Sequence, residues 1–138
     1  MRALFDTSAL LKRYLPEPGR AALLDLIARA QVVAAPHCKA ELYAALSRVR
    51  RDTAAPEQAY RLTCEEVERN FDDFDVVPLT AVLERAAIRA LESSPLRASD
   101  ALHIAAGMAA GVDLFVTADE RQHQAALSVG LKSTLLEN

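Results

Sequence analysis

The chain has 138 residues, of which 51% are hydrophobic, and a formal net charge of -3 at pH 7. This length suits one compact domain over residues 1–138, with enough apolar residues to fill its core. No apolar run reaches the roughly 18 residues of a membrane span, and Asp6, Lys12 and Arg13 interrupt the N-terminal run that a signal peptide would need, so we expect a cytoplasmic protein.

The first half of the chain is predicted to begin with a strand, a helix and a second strand. Residues 3–6 are extended, residues 19–31 carry apolar side chains at helical spacing, and residues 32–35 are extended again. Helices are predicted over residues 39–51 and 56–71, the second with a proline in its first turn. Asp6 is also placed to cap a helix that begins at Thr7.

The second half continues the alternation. Residues 75–79 are a predicted third strand, Thr80 caps the next helix, and a break at 93–95 precedes a helix over 97–110 that stops at Gly111. A strand at 113–117, a helix at 119–129 and an edge strand at 132–136 complete the chain. Because parallel neighbours need crossover connections, we predict an α/β fold with a mostly parallel central sheet of four or five strands and helices on both faces.

Four acidic residues are predicted to meet at one edge of this sheet. Asp6 closes the first strand and Asp119 follows the fourth, and ligands of parallel sheets collect beyond the carboxyl ends of the strands. Glu41 lies one turn into the helix after the second strand, and Asp100 lies in the first turn of the helix before the fourth. Singly, each acid has a simpler role as a helix cap, a partner of a helix dipole or a solvent-facing residue.

Taken together, the four acids are better explained by a bound cation. Glu41 and Asp100 are flanked by apolar residues on helices that look packed, and like charges brought together repel and lose hydration unless a cation neutralises them. Oxygen ligands without His or Cys select Mg²⁺ or Mn²⁺. Such an ion can activate a water and stabilise charge on a phosphodiester, which indicates phosphodiester hydrolysis.

Other nucleotide and metal chemistries lack their sequence features. The four glycines form neither GxGxxG nor GxxxxGK[ST], the patterns of dinucleotide and P-loop sites. No second aspartate follows Asp6 at the spacing of an aspartyl-phosphate mechanism. Cys38 and Cys64 lack a CxxC spacing and the three histidines are scattered, so we expect small buried thiols rather than a disulfide or a zinc site.

Four short motifs resemble, in order and spacing, those of the PIN-domain nucleases. They are Leu4-Phe-Asp-Thr-Ser8, Ala40-Glu-Leu42, Leu96-Arg-Ala-Ser-Asp-Ala-Leu-His103 and Phe115-Val-Thr-Ala-Asp119. Each motif alone is weakly specific, whereas the ordered set is fairly specific and extends over essentially the whole chain. The compact length resembles the VapC-type toxins, which belong to type II toxin-antitoxin pairs.

The resemblance implies a metal-dependent endoribonuclease that cuts RNA with a metal-activated water and leaves 5′-phosphate and 3′-hydroxyl ends. Carried over position by position, it implies that Mg²⁺ or Mn²⁺ is bound by the acids Asp6, Glu41, Asp100 and Asp119. It also implies that Ser8 and Thr117 supply hydroxyls that orient carboxylates or contact phosphate. These six residues form the predicted catalytic set.

Basic residues and histidines near the motifs have several possible roles. The basic residues cluster around Arg97 and in two groups, Lys12 with Arg13, and Arg48 with Arg50 and Arg51. They are either solvated helix surfaces or contacts to flanking phosphates. His103 is expected to pack as a structural histidine, His37 to be neutral filler or a substrate contact, and His123 to be solvated.

The resemblance to toxins also implies protein partners. An uninhibited ribonuclease would harm its own cell, which predicts a small cognate antitoxin whose arginine-bearing segment enters the acidic cleft. Apolar helix faces near Leu10, Leu11 and Tyr14, or near Leu42 and Leu46, are expected to receive a segment of that partner, or a second copy of the chain in a homodimer. The alternatives are a non-catalytic PIN-like module that binds RNA or protein, a housekeeping nuclease, and a small-molecule phosphatase.

Overall fold

Five strands and seven helices alternate along the chain in the computed structural model, which describes all residues from Met1 to Asn138. The strands are β1 (Arg2–Phe5), β2 (Gln31–Ala34), β3 (Asp75–Val76), β4 (Leu114–Thr117) and β5 (Ser133–Leu135). The helices are α1 (Thr7–Tyr14), α2 (Arg20–Arg29), α3 (Cys38–Thr53), α4 (Glu57–Asp73), α5 (Ala81–Ser93), α6 (Ala98–Ala110) and α7 (Glu120–Ser128). No helix has both the length and the apolar character that crossing a bilayer requires.

The strands form one sheet in the order β3-β2-β1-β4-β5, and every neighbouring pair is parallel. One apolar cluster packs helices α1 to α4 against one face of the sheet, and a second packs α5 to α7 against the other. Along β1, Ala3 and Phe5 belong to the first cluster and Leu4 to the second, as the alternation of side chains along a strand requires. The predicted α/β fold, with helices on both faces of a parallel sheet, is confirmed.

Most predicted boundaries agree with the structure to within about two residues, and the differences have local causes. Strand β3 ends at Val76 rather than at residue 79, because Val77 donates its last sheet bond to Ala34 O at 2.9 Å and Pro78 has no N–H to continue. Two helices, α1 and α2, connect β1 and β2. They are separated at Leu15, which is extended, as expected for a residue before proline.

A glycine is required where the C-terminal segment crosses the start of α2. Gly19 has φ +83°, and a Cβ at this position would lie 2.7 Å from the carbonyl oxygen of Glu137. Only glycine combines this left-handed backbone with so close an approach. The contact holds the segment after β5 against α2.

Two expectations about apolar residues need correction. Leu10 and Leu42 have no exposed surface and Leu46 is 4% exposed, so their helix faces are occupied by the core and are not free for a partner. Leu11 and Tyr14 are partly buried against the same core. Both thiols are free as expected, but only Cys38 is buried, whereas Cys64 is partly exposed.

Candidate functional site

The four predicted acids line one open cavity at the carboxyl edge of the sheet. Asp6 and Asp119 follow the neighbouring strands β1 and β4, and the first turns of α3 and α6 supply Glu41 and Asp100. The cavity has a volume of about 380 Å³. Its other polar lining residues are Thr7, Ser8, Arg48, Arg97, His103 and Gln122. The structure therefore brings together the acids that the sequence placed at this edge.

Asp6 is the most buried of these acids, with 2% of its surface exposed. Its Oδ1 accepts hydrogen bonds from Ala9 N at 3.0 Å and Ser8 Oγ at 2.7 Å, and its Oδ2 accepts one from Thr117 Oγ1 at 2.5 Å. Burial raises the pKa of Asp6, while the neighbouring His103 and these hydrogen bonds oppose the rise. Asp6 thus caps α1 as well as lining the cavity, and its charged form would gain stability from a nearby cation.

The hydroxyls of Ser8 and Thr117 connect Asp6 to the end of β4. Ser8 Oγ accepts a hydrogen bond from Ala118 N at 2.9 Å, and Thr117 Oγ1 accepts one from Asp119 N at 3.0 Å. The two hydroxyl oxygens are 3.3 Å apart. Both side chains therefore orient the Asp6 carboxylate, and Thr117 does so from a fully buried position beneath the cavity.

Asp119 and Asp100 each have one carboxylate oxygen engaged at a helix start. Asp119 Oδ1 accepts a hydrogen bond from Arg121 N at 2.9 Å and caps α7. Asp100 Oδ2 lies 3.4 Å from Nε of Arg97, whose side chain is 85% exposed. The second oxygen of each carboxylate has no hydrogen bond within the chain and is available to a ligand.

Glu41 is held in place by two residues from other elements. Its Oε1 accepts hydrogen bonds from Thr7 Oγ1 at 2.6 Å and from His103 Nε2 at 2.6 Å. Burial raises the pKa of Glu41, but the lowering by these hydrogen bonds and by the nearby histidines is larger, and the resulting pKa is about 2. Glu41 is therefore ionised near neutral pH, and it is not the solvent-facing helix residue of the simpler interpretation.

Thr7 and His103 also belong to this site, although neither was predicted as a site residue. His103 is 2% exposed, so its expected burial is correct, but its ring also bonds Glu41 and lines the cavity. A signal for both was present, since Thr7 adjoins Asp6 and His103 lies one turn after Asp100 on α6. Gln122, which is 2% exposed and lines the cavity, had no such signal.

The other two histidines differ in their surroundings. His37 Nε2 lies 2.8 Å from Ser99 O, and its ring packs against that of His103 with centroids 4.3 Å apart. Burial, with a contribution from His103, lowers the pKa of His37. His123 lies on α7 and its Nδ1 is 2.8 Å from Ser133 Oγ at the edge strand, so it is bonded rather than simply solvated.

The predicted basic groups are only partly at the cavity. Arg48 lines it, whereas Arg50 pairs with Glu57 at 3.0 Å and its guanidinium lies 4.2 Å from the Tyr60 ring. Lys12 is 1% exposed, so it is buried and not a surface phosphate contact. Arg13 lies 3.8 Å from Glu66. Arg48 and Arg97 are thus the two cations that face the acids.

The cavity suits a hard divalent cation better than any organic cofactor. Its wall carries four carboxylates against two guanidinium groups, and carboxylate and hydroxyl oxygens are the ligands that Mg²⁺ and Mn²⁺ prefer. The buried Asp6 adds a charge that the protein alone neutralises poorly. The donor set therefore fits such an ion.

Comparisons with known proteins agree with this architecture. FitAcB from Neisseria gonorrhoeae aligns over 95% of each chain with 13% identity and a TM-score of 0.75. VapBC2 from Rickettsia felis, bound to a DNA fragment from its promoter, aligns over 99% of this chain and 100% of that chain, with 12% identity and a TM-score of 0.72. VapC20 from Mycobacterium tuberculosis, described as a sarcin-ricin loop cleaving toxin, aligns over 89% of this chain and 94% of that chain, with 19% identity and a TM-score of 0.64.

Sequence comparison assigns the chain to a family. No curated protein sequence gives a significant match, and the low identities to the solved structures establish likeness of fold alone. The family model of the PIN domain, however, matches residues 3–127, a span that contains all four acids of the cavity. The chain belongs to the PIN domain family.

Proposed function

We propose that this PIN domain is a metal-dependent endoribonuclease and the toxin of a toxin-antitoxin pair. The observation that carries the proposal is the convergence of four carboxylates, including the 2% exposed Asp6, on one cavity. The similar fold of a toxin described as cleaving the sarcin-ricin loop supports RNA as the substrate. The similar fold of a toxin-antitoxin complex from Klebsiella pneumoniae supports the toxin role.

Some residues of the cavity would bind the metal, and others position the metal-binding side chains. Asp6, Glu41, Asp100 and Asp119 would hold Mg²⁺ or Mn²⁺, which when bound would neutralise charge on the phosphodiester and activate a water. Ser8 and Thr117 restrict the rotation of Asp6, and Thr7 and His103 restrict that of Glu41. Such contacts hold the metal-coordinating side chains in position when the metal is absent.

Two arginines are placed to bind the substrate backbone. Arg48 on α3 and Arg97 before α6 line the cavity together with the acids. Their guanidinium groups suit bidentate contacts to phosphate oxygens, and phosphate contacts contribute affinity without base specificity. We therefore assign them to the phosphates that flank the scissile bond.

The direct test is cleavage of defined RNA. Purified protein is incubated with a tRNA and an mRNA in Mg²⁺, in Mn²⁺ and in chelator, and the ends of any fragments are mapped. We expect metal-dependent cuts with 5′-phosphate and 3′-hydroxyl ends. Asp100→Asn should lose activity by orders of magnitude, because the amide keeps the shape but removes the charge that binds metal.

A matched control separates the site from general effects of charge. Asp25 lies on α2, is 68% exposed at its side chain and pairs only with Arg29, so Asp25→Asn should cleave like the wild type. Cleavage that persists in chelator, or in folded Asp100→Asn, would contradict the proposal. RNA binding without cleavage would favour a non-catalytic module, and hydrolysis of a generic aryl phosphate with intact RNA would favour a phosphatase.

An inhibitory partner belongs to the same proposal. An arginine side chain of a small antitoxin would bridge the carboxylates in place of the metal. A largely apolar groove of about 110 Å³ between α3 and α4, lined by Leu15, Val49 and Ala59 among others, is available for a neighbouring apolar segment of that partner. Co-expression with the adjacent gene product should relieve growth arrest, and relief should be lost when the inserted arginine becomes alanine.

The proposed homodimer has a separate measurement. The exposed apolar side chains of α5, Val82 at 58% and Ile88 at 47%, are candidates for its contact surface. Sedimentation of the purified protein should give twice the 15.0 kDa mass of the chain. A monomer at all concentrations, or harmless expression of the active enzyme, would favour a housekeeping nuclease.

A further inference from the structure

His37 and Glu41, one helical turn apart at the start of α3, meet His103 of α6 beside the acidic cavity. His103 Nε2 lies 2.6 Å and His37 Nε2 lies 3.4 Å from the same oxygen, Glu41 Oε1. One ligand atom from each of the three residues lies within 4.8 Å of the others. His103 is 2% exposed, and the side chain of His37 is 22% exposed.

The two histidine rings leave polar atoms without partners. The Nδ1 atoms of both His37 and His103 are buried and make no hydrogen bond, although buried polar atoms are nearly always paired. The rings themselves pack at a centroid distance of 4.3 Å. Each ring is bonded only through Nε2, and both Nε2 atoms are turned towards the Glu41 carboxylate.

The chemistry of this cluster differs from that of the acidic cavity. Two imidazoles and one carboxylate are the protein ligands of one class of catalytic zinc sites, and imidazole nitrogens favour Zn²⁺ over Mg²⁺. Zinc bonds of about 2.0–2.1 Å hold tetrahedral ligand atoms roughly 3.3 Å apart. The distance of 3.4 Å between His37 Nε2 and Glu41 Oε1 meets this spacing, and the 2.6 Å contact of His103 would open by less than about 1 Å.

We propose that His37, Glu41 and His103 form a second metal site that binds Zn²⁺, with a water from the cavity as the remaining ligand. The prediction that scattered histidines exclude a zinc site is replaced by this assignment, because the fold brings together residues 62 positions apart. In the structure both Nε2 atoms face oxygen acceptors, Ser99 O and Glu41 Oε1. An Nε2 atom that donates to one of these oxygens carries the ring proton. Coordination of zinc through Nε2 therefore requires the ring proton to move to Nδ1 or to solvent.

Zinc in this site would act on the acidic cavity through the residue that they share. Glu41 lines the cavity and is also the carboxylate of the histidine cluster. Its coordination to zinc would withdraw it from the ion held by Asp6, Asp100 and Asp119. Zinc binding itself is independent of the proposed function, whereas inhibition of cleavage by zinc rests on it.

Direct binding measurements test the site. The metal-free protein is titrated with Zn²⁺ by calorimetry and with Co²⁺, whose visible absorption reports tetrahedral coordination. We expect His37→Gln and His103→Gln each to raise the Kd for Zn²⁺ at least about 10-fold and to abolish the Co²⁺ absorption. His123→Gln, which alters the remaining histidine, and Asp119→Asn, which alters only the acidic cavity, should bind zinc like the wild type.

Each alternative outcome bears on the assignment. Absence of zinc binding in the wild type, undiminished binding in His37→Gln, or loss of binding in Asp119→Asn would overturn it. Circular dichroism shows whether each variant folds. If the buried His103→Gln protein does not, the partly exposed His37→Gln variant decides the result.

A second assay tests the inhibitory consequence. RNA cleavage is measured at constant Mg²⁺ with rising Zn²⁺, and the ratio of rates with and without zinc is compared among variants. The wild type and His123→Gln should lose at least about 10-fold in rate at saturating zinc, whereas His37→Gln should resist it. Equal inhibition of His37→Gln would overturn this consequence. A protein that binds zinc at the cluster but cuts no RNA would refute the proposed function alone.

Discussion

The buried hydroxyl of Thr117 allows a quantitative test of how the acidic cavity is built. Its Oγ1 donates to Asp6 Oδ2 at 2.5 Å and accepts from Asp119 N at 3.0 Å, and the side chain is 0% exposed. Thr117→Val keeps the shape of the side chain but removes both hydrogen bonds. The Asp6 oxygen and the Asp119 amide are then left unpaired where water cannot readily replace the hydroxyl.

The expected cost follows from these two contacts. A hydrogen bond to a charged group contributes about 1.5–3 kcal/mol and a neutral one about 0.5–1.5 kcal/mol. We therefore expect Thr117→Val to lower the free energy of unfolding by about 2–4 kcal/mol at pH 7, or the Tm by roughly 6–16 °C. Because the lost bond stabilises the charged form of Asp6, the cost should shrink as falling pH protonates that carboxyl.

Denaturant unfolding of the metal-free protein measures this cost. Thr117→Ser is the matched control, since it keeps the hydroxyl and loses one methyl group, at about 0.5–1.5 kcal/mol. RNA cleavage should fall further in Thr117→Val than in Thr117→Ser, because only the valine variant releases Asp6. If the valine variant is as stable as the serine variant at pH 7, the hydroxyl network does not support the site as described.

Three further predictions concern the acids themselves. In chelator at pH 7, Asp6→Asn should melt no lower than the wild type, because the burial that raises the pKa of Asp6 disfavours its charge; a markedly lower Tm would contradict this. Millimolar Mn²⁺ should raise the Tm of the wild type but not of Asp119→Asn, and equal shifts would place the metal elsewhere. The pKa of Glu41 is about 2 in the fold, against its ordinary value of 4.5, so its contribution to stability is present above pH 4.5 and lost as pH falls towards 2. The stability difference between metal-free wild type and Glu41→Gln should therefore narrow over that window, and a constant difference would refute the assigned hydrogen bonds.

Local sequence patterns were sufficient to predict most helices and strands and the location of the acids. Apolar spacing along α5 and the hydroxyl of Thr80, which accepts a hydrogen bond from Leu83 N at 3.3 Å, depend on neighbours within one helical turn. Asp6 and Asp119 directly follow strands, and in a parallel sheet the carboxyl ends of strands share one edge. The common location of these two acids was therefore predictable once the strands were parallel.

The burial of individual side chains and the order of strands in the sheet depend on contacts between distant segments. Periodicity could not show that Lys12 is buried, that Leu10 and Leu42 face the core completely, or that β1 lies between β2 and β4.

The sequence by itself determined the order of strands and helices along the chain, the family and the acids of the site, because these depend on local spacing and short motifs. Only the tertiary structure decided that His103 meets His37 and Glu41. His103 and Glu41 are 62 residues apart in the sequence. That meeting results from packing α3 and α6 around the end of the sheet. Such packing is a property of the assembled core, which no single segment of sequence encodes.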